Sequence, residues 1–225
     1  MKKMVIAKVG VKNEEGIIDR LLSALNQFCE KIIIVDDGST DDTAWEAEEA
    51  GAKVVRHKTN RGYGATIQTI LADARGLNFD ALVIMDSDNQ HFPADIPNMA
   101  NAVIDEGYEL VIGKRSSYQI PKFRYVGGWV LSLFTRILTG AKVVDSQSGF
   151  RAYSRRAVQL LYPKENGMAI GSEIISEATK LGLSITEVPI FIRYTSDSSS
   201  HNPIYQGFYT LFKVIGMIIR RKMGK

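Results

Sequence analysis

The chain has 225 residues, of which 45% are hydrophobic and 24% are charged, and its formal net charge is +3. This length suits one large globular domain with a full core, and so small a net charge gives no indication of nucleic-acid binding. The single cysteine, Cys29, excludes an internal disulfide and fits a reducing compartment. No stretch reaches the roughly 20 apolar residues that a membrane-spanning helix needs.

The first half of the chain alternates short apolar runs with amphipathic segments. Strands are predicted at 4–9, 32–35, 53–56, 83–86 and 109–113. Helices are predicted between them, at 14–28, 40–50, 60–75 and 93–107, with Asn13 as the N-cap of the first. Because connections of this length give right-handed crossovers, the pattern predicts an α/β fold with a parallel sheet.

Acidic residues directly follow two of these strands. Asp36 and Asp37 end the second apolar run, and Asp86 and Asp88 end the fourth. Ligands of open α/β sheets bind at the carboxyl ends of strands, so both pairs are expected at one edge. Mg²⁺ commonly takes one or two protein carboxylates together with phosphate oxygens and water. The pattern therefore indicates a metal–diphosphate site, with a solvated acidic turn as the alternative.

A glycine-rich segment, 60–65, precedes the third predicted helix. Gly62 and Gly64 allow backbone N–H groups to approach a ligand phosphate at the N-terminus of that helix. The segment is not a Walker A loop, because it lacks the Gly-Lys-Ser/Thr ending, and no Gly-x-Gly-x-x-Gly motif follows the first strand.

The second half of the chain breaks the alternation. A basic loop at 118–125 contains Lys122 and Arg124 and leads into an apolar helix at 126–138. Then come a turn and strand at 145–153, helices at 156–161 and 172–181, a strand at 186–192 and a serine-rich segment at 195–202. That serine-rich segment is predicted to be a loop that moves when no ligand is bound.

The last predicted helix, 204–219, is amphipathic. Its apolar face is formed by Ile204, Phe208, Leu211, Phe212, Ile215 and Ile219, and a narrower polar face by Gln206, Thr210, Lys213 and Arg220. No acidic residue follows Asp197, whereas five basic residues do. An apolar face with a basic end predicts a helix in a membrane interface, and the alternative is a helix docked on its own core or on a second subunit.

Five short motifs occur in order between residues 4 and 201. They are Asn13-Glu14-Glu15, Val35-Asp36-Asp37-Gly38-Ser39, Asp86-Ser87-Asp88-Asn89-Gln90-His91, Ser148-Gly149-Phe150-Arg151 and Glu187-Val188-Pro189-Ile190. Together they resemble the motifs of inverting GT-A glycosyltransferases of family 2, and most closely those of dolichyl-phosphate mannose synthases and related polyprenyl-phosphate glycosyltransferases. The resemblance implies a Rossmann-like, mostly parallel sheet with helices on both faces. The domain would span 1–203, and the amphipathic C-terminal helix 204–225.

The resemblance also implies roles for individual residues. The nucleotide-binding residues would be Gly10, Lys12, Glu14, Asp36, Asp37, Gly62 and Asp86. Asp86, Asp88 and Gln90 would hold Mg²⁺ or Mn²⁺, with Asp88 and Arg115 as catalytic residues. The acceptor phosphate would be bound by Arg115, Arg124 and His201. Three positions depart from the family pattern: Gly10 and Lys12 replace its usual Pro and Tyr, and His201 stands where a lysine is common.

The reaction implied is transfer of a sugar from GDP-mannose, a UDP-hexose or a UDP-N-acetylhexosamine to a polyprenyl phosphate at the cytoplasmic face of a membrane. A lipid phosphate needs no general base, because its oxygen is already anionic. A sugar hydroxyl acceptor would need one, and Glu173 is the candidate. Two other classes fit less well. A phosphohydrolase with Asp86 as nucleophile is disfavoured by Gln90, and a receiver domain phosphorylated at Asp86 leaves the second half of the chain without a role.

Overall fold

The computed structural model describes residues 3–88, 90–116, 122–193 and 210–216, with the backbone alone at 122–126. The strands are β1 (Val5–Val11), β2 (Lys31–Asp36), β3 (Lys53–Arg56), β4 (Ala81–Asp86), β5 (Leu110–Arg115), β6 (Arg151–Tyr153) and β7 (Ile185–Ile190). The α-helices are α1 (Ile18–Leu25), α2 (Thr43–Glu49), α3 (Tyr63–Ala74), α4 (Ile96–Ile104), α5 (Lys122–Thr139), α6 (Arg155–Leu160) and α7 (Ile170–Lys180). A 3-10 turn, Pro93–Asp95, leads into α4.

The strands form one mostly parallel sheet in the order β3-β2-β1-β4-β6-β5-β7. β1 pairs in parallel with β2 and β4, and β5 pairs in parallel with β7. β6 lies between β4 and β5 and is antiparallel to both. The parallel sheet predicted for the first half is confirmed, and its carboxyl edge brings together the ends of β1, β2 and β4.

Hydrophobic layers cover both faces of the sheet. Successive residues of a strand point to opposite faces, so Ala7 and Val9 of β1 belong to one core cluster and Ile6 to the other. Lys8 lies within β1 and is fully buried. Its ammonium pairs with Asp73 of α3 and donates to the Ile70 carbonyl oxygen at 3.3 Å. Burial lowers the pKa of Lys8, and the pair with Asp73 ties α3 to the sheet.

The predicted N-cap at Asn13 is wrong, because α1 begins at Ile18 and Asn13 adopts a left-handed backbone with φ of +53°. Its side-chain oxygen accepts the Thr40 N–H at 3.0 Å instead. The next N–H groups are also taken by side chains of the segment after β2, since Glu14 N–H donates to Thr43 Oγ1 at 2.8 Å. These bonds join the two loops at the carboxyl edge and delay the start of α1.

Residues 210–216 are helical, as predicted. Thr210 and Val214 are buried, and Val214 packs against Leu138 and Ala169. Phe212 is 73% exposed. Thr210, a residue of the predicted polar face, therefore lies on the side that packs on the protein, with Val214 one turn away on the same side. The rest of 204–219 lies outside the described residues.

Candidate active site

A cleft of about 540 Å³ opens at the carboxyl edge of the sheet. Seven of the predicted site residues line it: Gly10, Lys12, Glu14, Asp37, Gly62, Asp86 and Asp88. The wall also contains residues that were not predicted as site residues, among them Tyr63, Thr66, Asn166, Gly167, Met168 and Thr210. The last four come from the second half of the chain, which folds over the edge that the first half builds.

Asp86 and Asp88 occupy the end of β4 and the turn after it. Burial raises the pKa of Asp88, and the negative charge of Asp86 raises it further. The side-chain amide of Gln90 donates to Asp88 Oδ2 at 2.6 Å, and its backbone N–H donates to Oδ1 at 3.2 Å. Gln90 therefore fixes the orientation of the Asp88 carboxylate and does not itself line the cleft. Its role as a metal ligand stays a prediction.

The Ser148–Arg151 motif packs directly behind Asp86. A Cβ atom at Gly149 would lie 2.1 Å from Asp86 Oδ2, so only glycine leaves room for that carboxylate. Phe150 is buried, and its ring contacts the His91 ring with centroids 5.3 Å apart. The Nε2 atom of His91 lies 3.7 Å from Asp86 Oδ2. The motif and the acid pair thus form one structural unit, although Ser148 follows Asp88 by 60 positions in the sequence.

Glu14 belongs to the cleft and does not cap a helix. Its carboxylate accepts the hydroxyl of Ser87 at 3.1 Å. Burial raises the pKa of Glu14, the Ser87 hydrogen bond opposes that shift, and the charges of Asp88 and Asp41 add to it. The cleft therefore concentrates negative charge, which suits a cation.

Asp36 and Asp37 are adjacent but face different partners. Asp36 is fully buried, and its Oδ1 accepts the Ser39 N–H at 2.9 Å. Its Oδ2 lies 3.0 Å from Arg56 Nε, at ion-pair distance though without hydrogen-bond geometry. Asp36 does not line the cleft, and its nucleotide contact stays a prediction. Asp37 lines the cleft and accepts the N–H of Gly62 at 2.8 Å.

Arg115 also lies away from the cleft lining. Its guanidinium makes two bonds to Asp145, Nε to Oδ2 at 2.8 Å and Nη2 to Oδ1 at 2.7 Å. Asp145 is held in turn by Glu187, whose Oε1 accepts the Asp145 N–H at 2.7 Å. The structure thus shows Arg115 in an ion pair that joins β5 to the segment after α5, and its catalytic and acceptor-phosphate roles stay predictions.

Three further candidates remain without a demonstrated role. Glu173, the predicted base, uses its Oε2 to accept the N–H groups of Lys164 at 3.0 Å and Glu165 at 2.7 Å. It shapes the loop beside the cleft and does not line it. Arg124 lies in the first turn of α5, but its side chain is not among the described parts, and His201 lies outside the described residues.

The donor set at the acid pair fits a magnesium or manganese ion. Within the described ranges, no three His, Cys, Asp or Glu side chains converge as a metal-binding group. A structural zinc site needs about four protein ligands, so the pair does not suit zinc. Two carboxylates suffice for Mg²⁺, whose other ligands are water and substrate phosphates. The repulsion that raises the pKa of Asp88 is also what a bound cation relieves.

Comparison with solved structures identifies the fold. Glucosyl-3-phosphoglycerate synthase from Mycobacterium tuberculosis in complex with UDP superposes with a TM-score of 0.77 at 22% identity, over 96% of this chain and 80% of that one. Further structures of that synthase were crystallised with Mn²⁺ or Mg²⁺ and UDP. The predicted GT-A fold is confirmed.

Sequence comparison identifies the family. The sequence profile of glycosyl transferase family 2 matches residues 9–161. The UDP-N-acetylglucosamine–dolichyl-phosphate N-acetylglucosaminyltransferase of Methanococcus voltae is 32% identical, over 99% of this chain and 98% of that protein. The undecaprenyl-phosphate mannosyltransferase of Micrococcus luteus is 31% identical, over 71% of this chain and 70% of that protein. This chain therefore belongs to glycosyl transferase family 2 and is a glycosyltransferase.

Proposed function

We propose that this chain transfers a sugar from a nucleoside-diphosphate sugar to a polyprenyl phosphate, with inversion at the anomeric carbon. The observation that carries the proposal is the cleft in which Asp86 and Asp88 stand beside the loop that begins α3. An acid pair suits a cation-bound diphosphate. The N–H groups of Gly62 and Gly64, which the sequence suggested for phosphate, are already taken by Asp37 and by the Asn166 carbonyl oxygen, so this loop contributes the shape of the wall. The acceptor class is supported by similar proteins whose names specify dolichyl or undecaprenyl phosphate.

Two regions of the cleft suit the two parts of the donor, its nucleoside and its diphosphate. The nucleoside would lie against the end of β1 and the loop after it, where Gly10, Lys12 and Glu14 line the wall. The diphosphate would lie at Asp86 and Asp88, which would hold Mg²⁺ or Mn²⁺ with Gln90 orienting Asp88. Such an ion, when bound, neutralises the negative charge that develops on the leaving diphosphate.

The transfer is a single displacement at the anomeric carbon. An oxygen of the acceptor phosphate forms the new bond to that carbon. The bond from the carbon to the diphosphate oxygen breaks, and its electron pair leaves with the nucleoside diphosphate. The acceptor oxygen is anionic because the second pKa of a phosphate monoester is about 6, so no side chain has to remove a proton. The engagement of Glu173 with two backbone N–H groups agrees with a reaction that needs no base there.

A lipid acceptor requires contact with a membrane, and α5 carries a surface suited to it. Trp129, Leu133 and Ile137 recur every four residues on one side of the helix and are 54%, 37% and 61% exposed. Phe212 of the last helical segment is 73% exposed. Within the described ranges, no helix is long and apolar enough to cross a membrane. From the exposed apolar side chains of α5 and Phe212 we propose peripheral attachment at the cytoplasmic face, with basic residues of the C-terminal segment near anionic lipid.

The proposed function is tested by following a radiolabelled sugar into lipid. The protein is incubated with Mn²⁺, labelled GDP-mannose, UDP-glucose or UDP-N-acetylglucosamine, and a short polyprenyl phosphate. Label from one of these donors is expected in the organic phase, and mild acid should release it as free sugar. Transfer of label only to an added oligosaccharide would indicate that the acceptor is a sugar hydroxyl and not a lipid phosphate. No transfer from any donor would contradict the proposal.

A further inference from the structure

His57 is buried next to the cleft, at the end of β3, and has no role in the function proposed above. The residue is 7% exposed. Its Nδ1 lies 2.7 Å from Asp37 Oδ1, and its Nε2 lies 2.9 Å from the hydroxyl of Thr69 on α3. Both ring nitrogens are therefore used, and the imidazole joins the segments after β2 and β3 to α3.

Asp37 connects this histidine to the cleft. Besides the contact with His57, its Oδ1 accepts the N–H of Arg61 at 2.8 Å and its Oδ2 accepts the N–H of Gly62 at 2.8 Å. An ionised carboxylate only accepts hydrogen bonds, so the proton of that contact belongs to Nδ1 of His57. In the neutral ring, Nε2 then accepts the hydroxyl of Thr69.

The loop held in this way forms part of the cleft wall. Gly62 lines the cleft, has a φ of +89° and directly precedes the first residue of α3. Asn60 also lines the cleft, and its side-chain oxygen accepts the Gly62 N–H at 3.0 Å. Two N–H groups of this loop are bonded to the Asp37 carboxylate, and His57 is a buried side chain that bonds to the same carboxylate.

We propose that His57 is a positioning residue for the donor nucleotide. Through Asp37 it fixes the 60–62 loop in the shape that receives the nucleoside diphosphate at the start of α3. The inference rests on the proposed function, because it assumes a nucleotide in this cleft. It assigns His57 no contact with the donor, so its loss should weaken donor binding far more than it slows turnover of the bound donor.

Two substitutions at one position separate the two hydrogen bonds. The side-chain amide of Asn places an N–H near the position of Nδ1, whereas that of Gln reaches the position of Nε2. His57→Asn should keep the bond to Asp37 and bind UDP or GDP with Mn²⁺ within about twofold of the unaltered protein. His57→Gln should lose that bond and bind about tenfold more weakly, the size expected for one hydrogen bond to a charged group. Thr69→Val is the control, because it removes only the Nε2 partner.

Calorimetry with UDP and GDP gives the affinities, and steady-state kinetics should show a raised donor KM at nearly constant kcat for His57→Gln. Amide hydrogen exchange at Gly62 in the nucleotide-free protein should accelerate in His57→Gln and remain slow in His57→Asn. Equal affinity and equal Gly62 exchange in both variants would overturn the inference, as would an equal loss in both with a lowered melting temperature. If the unaltered protein binds neither nucleotide, the proposed function fails, and Gly62 exchange still decides whether His57 holds the loop.

Discussion

At the scale of single residues, the chemistry proposed for the cleft depends on the charge of Asp88. This carboxylate is half-buried beside Asp86, and both the partial burial and the neighbouring charge raise its pKa. Its ionised form is therefore costly in the folded chain until a cation arrives. Glu14 shares this character, because burial also raises its pKa. In the proposed function, this cost is offset when the acid pair binds a cation together with its diphosphate.

Replacing Asp88 by Asn should remove activity while increasing stability. The amide keeps the shape of the side chain but cannot help hold a cation, so turnover should fall at least about 100-fold. A group whose pKa is raised on folding binds more protons when folded, so stability falls as pH rises from the ordinary Asp range through the raised pKa. Without metal at pH 7, Asp88→Asn should thus melt at or above the temperature of the unaltered protein.

The same experiment includes its control. Asp105 is an exposed carboxylate that pairs with Lys3, and Asp105→Asn should change neither activity nor melting temperature appreciably. Thermal melts in EDTA between pH 4 and 7 should show a smaller loss of stability with rising pH for Asp88→Asn than for the unaltered chain. Full activity in Asp88→Asn would contradict the assignment of the acid pair as the metal–diphosphate site.

At the scale of elements, the strands were easier to predict than the starts of the helices. The runs before Asp36 and Asp86 are buried on both faces, and such strands are visible as uninterrupted apolar residues. Helix α1 was placed four residues early, because the N–H groups of Asn13 and Glu14 are taken by Ser39 and Thr43 of another loop. Local capping rules do not include such partners, which come from 26 and 29 residues away.

Site residues could be predicted from the sequence where their partners lie close by in the chain. Asp86 and Asp88 follow directly from the strand that carries them. The ion pair of Arg115 could not be predicted, because its partner Asp145 lies 30 residues later in the chain. Asn166 and Met168 were missed because only the tertiary fold brings their loop to the cleft, where the N–H of Gly64 donates to the Asn166 carbonyl oxygen at 2.9 Å.

The exposed apolar side of α5 leads us to expect binding to lipid vesicles. Replacing Trp129, Ile137 and Phe212 together by Ser should weaken binding to vesicles of phosphatidylcholine and phosphatidylglycerol about tenfold, because it removes apolar area that enters the interface. Trp45 on α2 is 61% exposed, against 54% for Trp129, and serves as the control, since Trp45→Ser removes a comparably exposed indole from a different helix. Vesicle flotation measures both. Equal flotation of the triple variant and the unaltered protein would refute the membrane surface.

At the scale of the whole molecule, the two halves of the chain have different tasks. The first half builds a parallel sheet whose carboxyl edge carries the acid pair and the loop before α3. The second half covers that edge: Gly149 packs on Asp86, the 164–168 loop is held by Glu173, and Thr210 closes part of the wall. Because Val214 docks the same helical segment on Leu138 and Ala169, the proposed membrane-facing helices share a core with the wall of the cleft.

The central claim is that the acid pair and the α3 loop together bind a nucleoside diphosphate with a divalent cation. Isothermal titration of the full chain with UDP and with GDP, each with Mn²⁺ and with EDTA, tests it most directly. We expect one of the two nucleotides to bind in Mn²⁺, to bind at least about tenfold more weakly in EDTA, and to lose that difference in Asp88→Asn. Binding that is the same with and without Mn²⁺, or no binding of either nucleotide, would contradict the claim.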